Sequence, residues 1–223
     1  CVVLKPSEVT PLPELELAAI IAGAGLPKGV FNLVCGTGLA VGAPLSADAR
    51  IAKISFTGSN AVGVQVMQRA AETVKGVSLE LGGKSSLLVL KDADIELAVE
   101  VACGGGFFNA GQMCSATSRV LVADELADEF LTRVKARAEA IRVADPFDPN
   151  VEMGALVNQA QYQRVLGHID RGLSAGAKLV CGGNRPADLP RGYFLQPTVF
   201  TDVPLDSALW CEEIFGPVIC VRS

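Results

Sequence analysis

Residues 52–73 run AKISFTGSNAVGVQVMQRAAET. Ala52–Phe56 is an apolar β-type run, and Thr57-Gly58-Ser59 supplies a glycine turn and a hydroxyl. Asn60–Thr73 then places small and apolar residues on one helical face. Strand, glycine turn, hydroxyl and helix in that order make the repeating half of an α/β fold, because parallel strands need a crossover between them. The same alternation extends towards the start of the chain. Val2–Leu4 reads as a strand, and Leu12–Ala24 as a helix opened by Thr10-Pro11 and closed near Gly25. Val30–Val34 reads as a second strand and Gly38–Ser46 as a short helix. The expectation is a parallel sheet with helices on its faces and right-handed crossovers.

Beyond this stretch the pattern changes. Val77–Leu81 and Ser86–Leu90 are two β-type runs separated by Gly82-Gly83, and a helix follows from about Asp94 to Phe108. Arg119–Val122 reads as a strand. Leu126–Ile141 is a clear helix, with Leu126, Phe130 and Val134 at i, i+4, i+8. After the loop Asp145–Asn150 comes a helix over Asn158–Ala175. Strands are expected at Lys178–Val180, Thr198–Phe200 and Pro217–Val221. The weakening alternation places a domain boundary at the double glycine, giving residues 1–83 and 84–223.

Composition narrows the function classes. Half of the 223 residues are hydrophobic, 19% are charged and the net charge is −5, which excludes intrinsic disorder. Mild acidity argues against a nucleic-acid surface. No apolar stretch of ~20 residues and no charged leader points to a membrane. Seven cysteines accompany a single histidine, His168. An odd count without CxxC spacing disfavours disulfides and a structural metal site, and fits a reducing cytoplasm. The chain opens without Met on Cys1-Val2-Val3-Leu4 and stops at Val218-Ile219-Cys220-Val221-Arg222-Ser223. Both ends read as strands cut at or near a boundary, so a segment of a longer protein is expected.

Cys114 stands apart from the other thiols. It lies in Asn109-Ala110-Gly111-Gln112-Met113-Cys114-Ser115, a small polar loop after an apolar helix. It reads either as a nucleophile or as a small hydrophobe. Cys1, Cys35, Cys103, Cys181 and Cys220 read as small hydrophobes, and Cys211 borders a polar segment. A nucleophilic thiol needs a base or a lowered pKa. His168 sits on an amphipathic helix with no chemical neighbours and reads as a solvated or partly buried helix residue. A carboxylate is the better candidate. Glu80, in Ser78-Leu79-Glu80-Leu81-Gly82-Gly83-Lys84, is an acid in an apolar run whose burial would raise its pKa towards that of a general base. It reads equally as a strand-end acid facing water.

Two glycine patterns suggest phosphate binding. Gly36, Gly38 and Gly42 are spaced GxGxxxG, one residue off the dinucleotide fingerprint. The Gly58-Ser59 turn enters a helix whose N–H groups and positive end suit a pyrophosphate. Lys5 and Glu8 follow the first strand, at the end where open α/β sheets bind ligands. A carboxylate there accepts from ribose hydroxyls and repels a 2′-phosphate. Glu212-Glu213 precede Ile214-Phe215-Gly216-Pro217, an acidic pair entering an apolar strand.

Five ordered blocks resemble the aldehyde dehydrogenase superfamily: VVLKPSE at 2–8, ISFTGSNAVG at 54–63, LELGGKS at 79–85, FFNAGQMCSATSR at 107–119 and EEIFGPV at 212–218. The resemblance implies a partial Rossmann-like parallel sheet domain that binds the dinucleotide, then part of a second α/β catalytic domain. It implies oxidation of an aldehyde to the acid, with Cys114 as nucleophile and Glu80 activating the water that hydrolyses a thioester. The cofactor is NAD, with NADP left open. Lys5 and Glu8 would hold the adenosine ribose, and Gly58, Ser59 and Gly63 the pyrophosphate side. Leu81 and Gly82 would pass close to the cofactor, with Glu213 on the nicotinamide ribose and Phe215 beside the ring.

Within the family, the segment from Gln112 to Arg119 and the nearby Trp210 are similar to betaine-aldehyde and aminoaldehyde dehydrogenases. Trp210 could offer a cationic substrate a π face or simply pack. A homo-oligomer is implied as well. The family's oxyanion-hole asparagine sits in a PWNFP-like block upstream of the KPSE segment and falls outside this sequence. Losing one such donor costs ~10²–10³ in rate, so the segment alone is expected to be inactive. A non-catalytic dinucleotide-binding or structural relative and a cofactor-independent thiol esterase are the competing readings.

Overall fold

Ser59 is the single residue between one strand and the next helix. Its backbone is extended and its hydroxyl accepts the Val62 N–H at 3.4 Å, satisfying a donor that the first turn leaves free. The computed structural model describes residues 1–223 and divides into two units, Cys1–Leu81 and Gly82–Ser223.

The first unit carries β1 (Val2–Leu4), α1 (Leu12–Gly23), β2 (Phe31–Leu33), a π-type turn (Gly38–Gly42) running into α2 (Ala43–Ala47), β3 (Lys53–Gly58), α3 (Asn60–Ala71) and β4 (Gly76–Leu81). All pairing is parallel, as the alternation requires. The strands form two separate pairs, β1 with β2 and β3 with β4, where one continuous sheet was expected. β3 also runs two residues further than its sequence suggested. Gly58 is therefore the last strand residue, opposite Leu81, and Ser59 alone makes the turn. Of the apolar side chains here, Val66 and Ala70 on α3 are buried.

The second unit carries β5 (Ser86–Val89), α4 (Ile95–Phe107), β6 (Arg119–Val122), α5 (Ala127–Ala140), α6 (Gln159–Ser174), β7 (Lys178–Cys181), β8 (Thr198–Thr201), α7 (Ala208–Cys211) and β9 (Val218–Arg222). These strands form one five-stranded sheet in the order β5-β6-β9-β8-β7, parallel except for β7. Central β9 buries Val218 to Val221 in succession, the pattern of a strand covered on both faces. Helices supply the rest of the core, with Phe130 and Val134 from α5 and Val165 and Ile169 from α6. Capping again follows the sequence. Asp94 accepts the Leu97 N–H at 3.1 Å to start α4, and Asn158 accepts the Gln161 N–H at 2.9 Å to start α6. No helix is long and apolar enough to cross a membrane, and no cluster of three metal-ligating side chains forms.

Candidate active site

In the first unit, Lys5 is fixed at the end of β1. Its ammonium donates to Pro6 O at 2.6 Å and Gly36 O at 2.9 Å, and pairs with Glu8 Oε2 at 3.1 Å. Glu8's own backbone N–H and the Lys5 ammonium hold its exposed carboxyl below the usual carboxylate range. Lys5 therefore joins the Gly36–Gly42 stretch to Glu8. Beside it opens a cavity of about 410 Å³ lined by Leu4, Lys5, Gly38, Gly42, Phe56 and Val62, among others. Its apolar walls and a few polar groups suit one planar end of a dinucleotide. Glu8, Gly58, Ser59 and Gly63 are not among its lining residues. Gly63 is buried on α3, where an added Cβ would stand 2.7 Å from Leu81 Cδ2, so Leu81 packs the helix onto β4.

Glu80 sits on β4 opposite Thr57 and is exposed. Of its two readings, buried base or strand-end acid facing water, the exposed one holds. Alternation along a strand sends Leu79 and Leu81 to one face and Glu80 to the other.

The second unit builds the thiol loop on an unusual turn. After α4, Asn109, Ala110 and Gly111 all adopt left-handed backbone, with φ of 51°, 55° and 68°. Asparagine tolerates this region, but alanine does so at a cost of order 1–2 kcal/mol. Ala110 is nevertheless held there, 2% exposed. At Gly111 a side chain is impossible, since a Cβ would lie 2.1 Å from the Gly216 carbonyl oxygen. Gln112 locks the turn. Its amide donates to Asn109 O at 3.0 Å and its oxygen accepts the Val157 N–H at 2.9 Å. Cys114 follows, exposed, on a turn closed by the Ala116 N–H donating to Met113 O at 3.2 Å.

The double glycine joins this loop to the acidic one. A Cβ on Gly83 would stand 3.2 Å from the Cys114 carbonyl oxygen, and one on Gly82 would collide with Glu213 Oε2 at 2.1 Å. The Gly83 N–H points to Glu213 Oε1 at 3.4 Å. Glu213 is thus laid along the Gly82-Gly83 backbone, and Phe215, at φ 55°, turns the chain just beyond it. Cys114, Gly82, Gly83, Glu213 and Phe215 come together in this unit, while Glu80, Lys5, Glu8, Gly58, Ser59, Gly63 and Leu81 belong to the other.

Several neighbours differ from their sequence reading. His168, read as solvated or partly buried, is fully buried at 2% exposed. Burial, aided by the Arg171 guanidinium, pushes its imidazole down to about 4, so it is neutral over most of the pH range. Trp210 is buried, and the Arg119 guanidinium lies 5.6 Å from its ring centroid, so an internal cation already takes the π face. Cys1 and Cys35 are exposed, while Cys103, Cys181 and Cys220 are buried as small hydrophobes should be. Burial pushes the Cys103 thiol up to about 12 and those of Cys181 and Cys220 to about 11, which leaves them inert.

Sequence reasoning missed a row of residues on α6. Gln161 donates to Ile214 O at 3.2 Å and Phe215 O at 2.7 Å, and Arg164 donates to Glu213 O at 2.9 Å. Arg171 reaches Glu212 Oε2 at 3.1 Å. Their spacing of three and seven residues was a visible signal, but a polar face on an amphipathic helix ordinarily meets water. Lys84 was missed as well. Its ammonium is buried without a hydrogen-bond partner, and burial pushes it down to about 8.

Comparison with known proteins adds an independent line. The model described as "Aldehyde dehydrogenase family" matches residues 1–223. The chain is 48% identical over 221 residues to betaine aldehyde dehydrogenase 1 of Oryza sativa subsp. japonica, covering 99% of this chain and 44% of the relative. It is 52% identical over 219 residues to betaine aldehyde dehydrogenase of Cereibacter sphaeroides, covering 98% and 45%. A crystal structure of betaine aldehyde dehydrogenase from Staphylococcus aureus in complex with NAD+ superposes with a TM-score of 0.96 at 38% identity, covering 99% of this chain and 44% of that one. The chain therefore spans a little under half the length of the relatives it matches.

Proposed function

Because the chain belongs to the aldehyde dehydrogenase family, we propose that it takes part in NAD-dependent oxidation of an aldehyde to the carboxylic acid. The observation that carries this reading is the double glycine, with the Cys114 carbonyl on Gly83 and the Glu213 carboxylate on Gly82. A nucleophile loop and a ribose-binding acid are thereby tied to one short backbone segment. A side chain at Gly82 would displace the Glu213 carboxylate, and one at Gly83 would press on the Cys114 carbonyl.

The Cys114 thiolate attacks the aldehyde carbon, and the resulting oxyanion accepts from the Cys114 backbone N–H. When bound, NAD+ accepts the hydride that converts this thiohemiacetal to a thioester. Glu80 then removes a proton from the water that attacks the thioester, and the acid leaves as the thiol is restored. Lys5 and Glu8 would hold the adenosine ribose, with Gly58, Ser59 and Gly63 on the pyrophosphate side. Leu81 and Gly82 would run beside the cofactor, Glu213 would bind the nicotinamide ribose, and Phe215 would pack by the ring. The apolar cavity of the first unit fits the adenosine end, and the Glu8 carboxylate disfavours a 2′-phosphate, hence NAD over NADP.

The substrate class we assign is betaine aldehyde or an aminoaldehyde, on the strength of the relatives' names alone. Since Trp210 already carries Arg119, a cationic substrate would need another partner. We also assign assembly as a homo-oligomer and, from seven free thiols, a reducing compartment such as the cytoplasm.

The full-length protein that contains this segment, given NAD+ and betaine aldehyde, is expected to form NADH and to carry an acyl group on Cys114, whereas the 223-residue segment alone is expected to be inactive. Cys114→Ala should lose both, and Glu80→Gln should keep the first turnover but slow deacylation. NADH formation that survives Cys114→Ala would sink the nucleophile role. Ester hydrolysis in the absence of NAD+, with no NADH in its presence, would favour a thiol esterase.

A further inference from the structure

The start of α6 touches both loops of the second unit. Val157, two residues before the helix, gives its N–H to the Gln112 side chain at 2.9 Å. Gln161, on the first turn, gives its amide to the Ile214 and Phe215 carbonyls at 3.2 and 2.7 Å. Asn158 caps the helix between them, bonded to the Gln161 N–H at 2.9 Å. The two loops also meet directly, where Gly111 packs against Gly216 too closely to admit a Cβ. Both contain residues in left-handed backbone, Ala110 and Phe215, that need outside support to persist. In each loop a glutamine side chain provides it.

We infer that Gln112 and Gln161 are positioning residues that mount the Cys114 loop and the Glu213–Phe215 loop on one helix start, so that the thiol and the nicotinamide-side contacts hold a common register. The inference rests on the dehydrogenase reading only for what Glu213 and Phe215 bind. Neither glutamine needs to touch a reacting atom. Arg164, donating to Glu213 O at 2.9 Å, extends the mount by one helical turn. Loss of either glutamine should loosen both loops, because they share one support and pack against each other.

The test uses the whole chain and two probes. Iodoacetamide labelling, resolved by peptide mass spectrometry, reads the Cys114 rate against that of Cys35. Titration with NAD+ reads the other loop. Gln112→Ala and Gln161→Ala are each expected to change the Cys114 rate severalfold, leave the Cys35 rate alone, and weaken NAD+ by about tenfold, the scale of one or two lost hydrogen bonds. Gln161→Glu keeps the volume but repels the two carbonyls, and should behave like Gln161→Ala. Ile169→Ala removes core packing from the same helix and should lower the melting temperature without moving either probe. A Gln161→Ala variant with an unchanged Cys114 rate overturns the shared mount. So does a Gln112→Ala variant that alters the thiol but leaves NAD+ binding intact. NAD+ binding that is absent both from this chain and from the full-length protein containing it overturns the dehydrogenase reading, and the mount then stands or falls on the thiol rates alone.

Discussion

Within these 223 residues, which span a little under half the length of the relatives, the second unit folds its apolar residues around a five-stranded sheet, whereas the first presents most of its own at the surface of the segment. Phe130, Val134, Phe200 and Ile219 are fully buried in the one, while Leu12, Leu39 and Val74 are 72%, 83% and 90% exposed in the other. The difference bears on chemistry. The thiol loop holds three successive left-handed residues, a conformation that persists only on a rigid support. Its turn backs onto Gly216 at the head of β9, the central strand of that core. The first unit has no such task. Its candidate groups sit at strand ends and on an exposed strand face, where a fixed backbone and one internal cation, Lys5, suffice.

The contrast predicts an asymmetric response to truncation. Phe130→Ala should cost about 3–5 kcal/mol, the range for emptying a sealed aromatic site. Leu12→Ala, on a helix with no buried residue, should stay within about 0.5 kcal/mol. Urea unfolding of the two variants measures both, and equal losses would break the comparison. Glycines extend the test at smaller size. Gly111→Ala must accept an unfavourable φ and a collision with backbone, for a loss of about 2 kcal/mol or more. Gly23→Ala ends α1 with nothing within 4 Å and should be neutral or slightly stabilising.

The sequence made the local grammar of the fold readable wherever a physical rule acts over a few residues. Capping by Ser59, Asp94 and Asn158 and the period of α5 follow from such rules. Cys114, Glu80, Glu8 and Glu213 were legible as candidates because their residue types stand out against apolar or glycine-rich neighbours. What escaped depends on partners distant in the chain. Glu80 left two readings open, burial or a strand-end acid facing water, because nothing in the local run says what covers its face. His168 reads as solvated or partly buried on its helix, and the core encloses it further than either reading, with Arg171 beside it. Gln161 reads as an ordinary polar helix residue until the carbonyls of Ile214 and Phe215, more than fifty positions away, are brought to it. The left-handed run at 109–111 has the same origin, since Gly216 on the far side of the sequence sets its limits.

A gain of stability, smaller than the losses at Phe130 and Gly111, isolates a polar imperfection of the well-packed unit. Lys84 is buried with no hydrogen-bond partner. Burial pushes its ammonium from 10.5 down to about 8, with the Arg119 charge adding to the fall and Cys220, Cys211 and Glu213 opposing it. Lys5, by contrast, satisfies its ammonium three times over in the sparsely packed unit. A basic group depressed on folding costs stability wherever the unfolded chain holds a proton that the folded one resists. The full cost is therefore present below about pH 8, fades as pH rises from there towards 10.5, and is gone above it. Lys84→Met should accordingly stabilise the protein at neutral pH by about 1–2 kcal/mol, with the gain shrinking as the pH is raised. Lys5→Met should destabilise at both. Melting temperatures at pH values on either side of that window separate the two lysines, and a gain for Lys84→Met that grew with pH would show that Lys84 is paired after all.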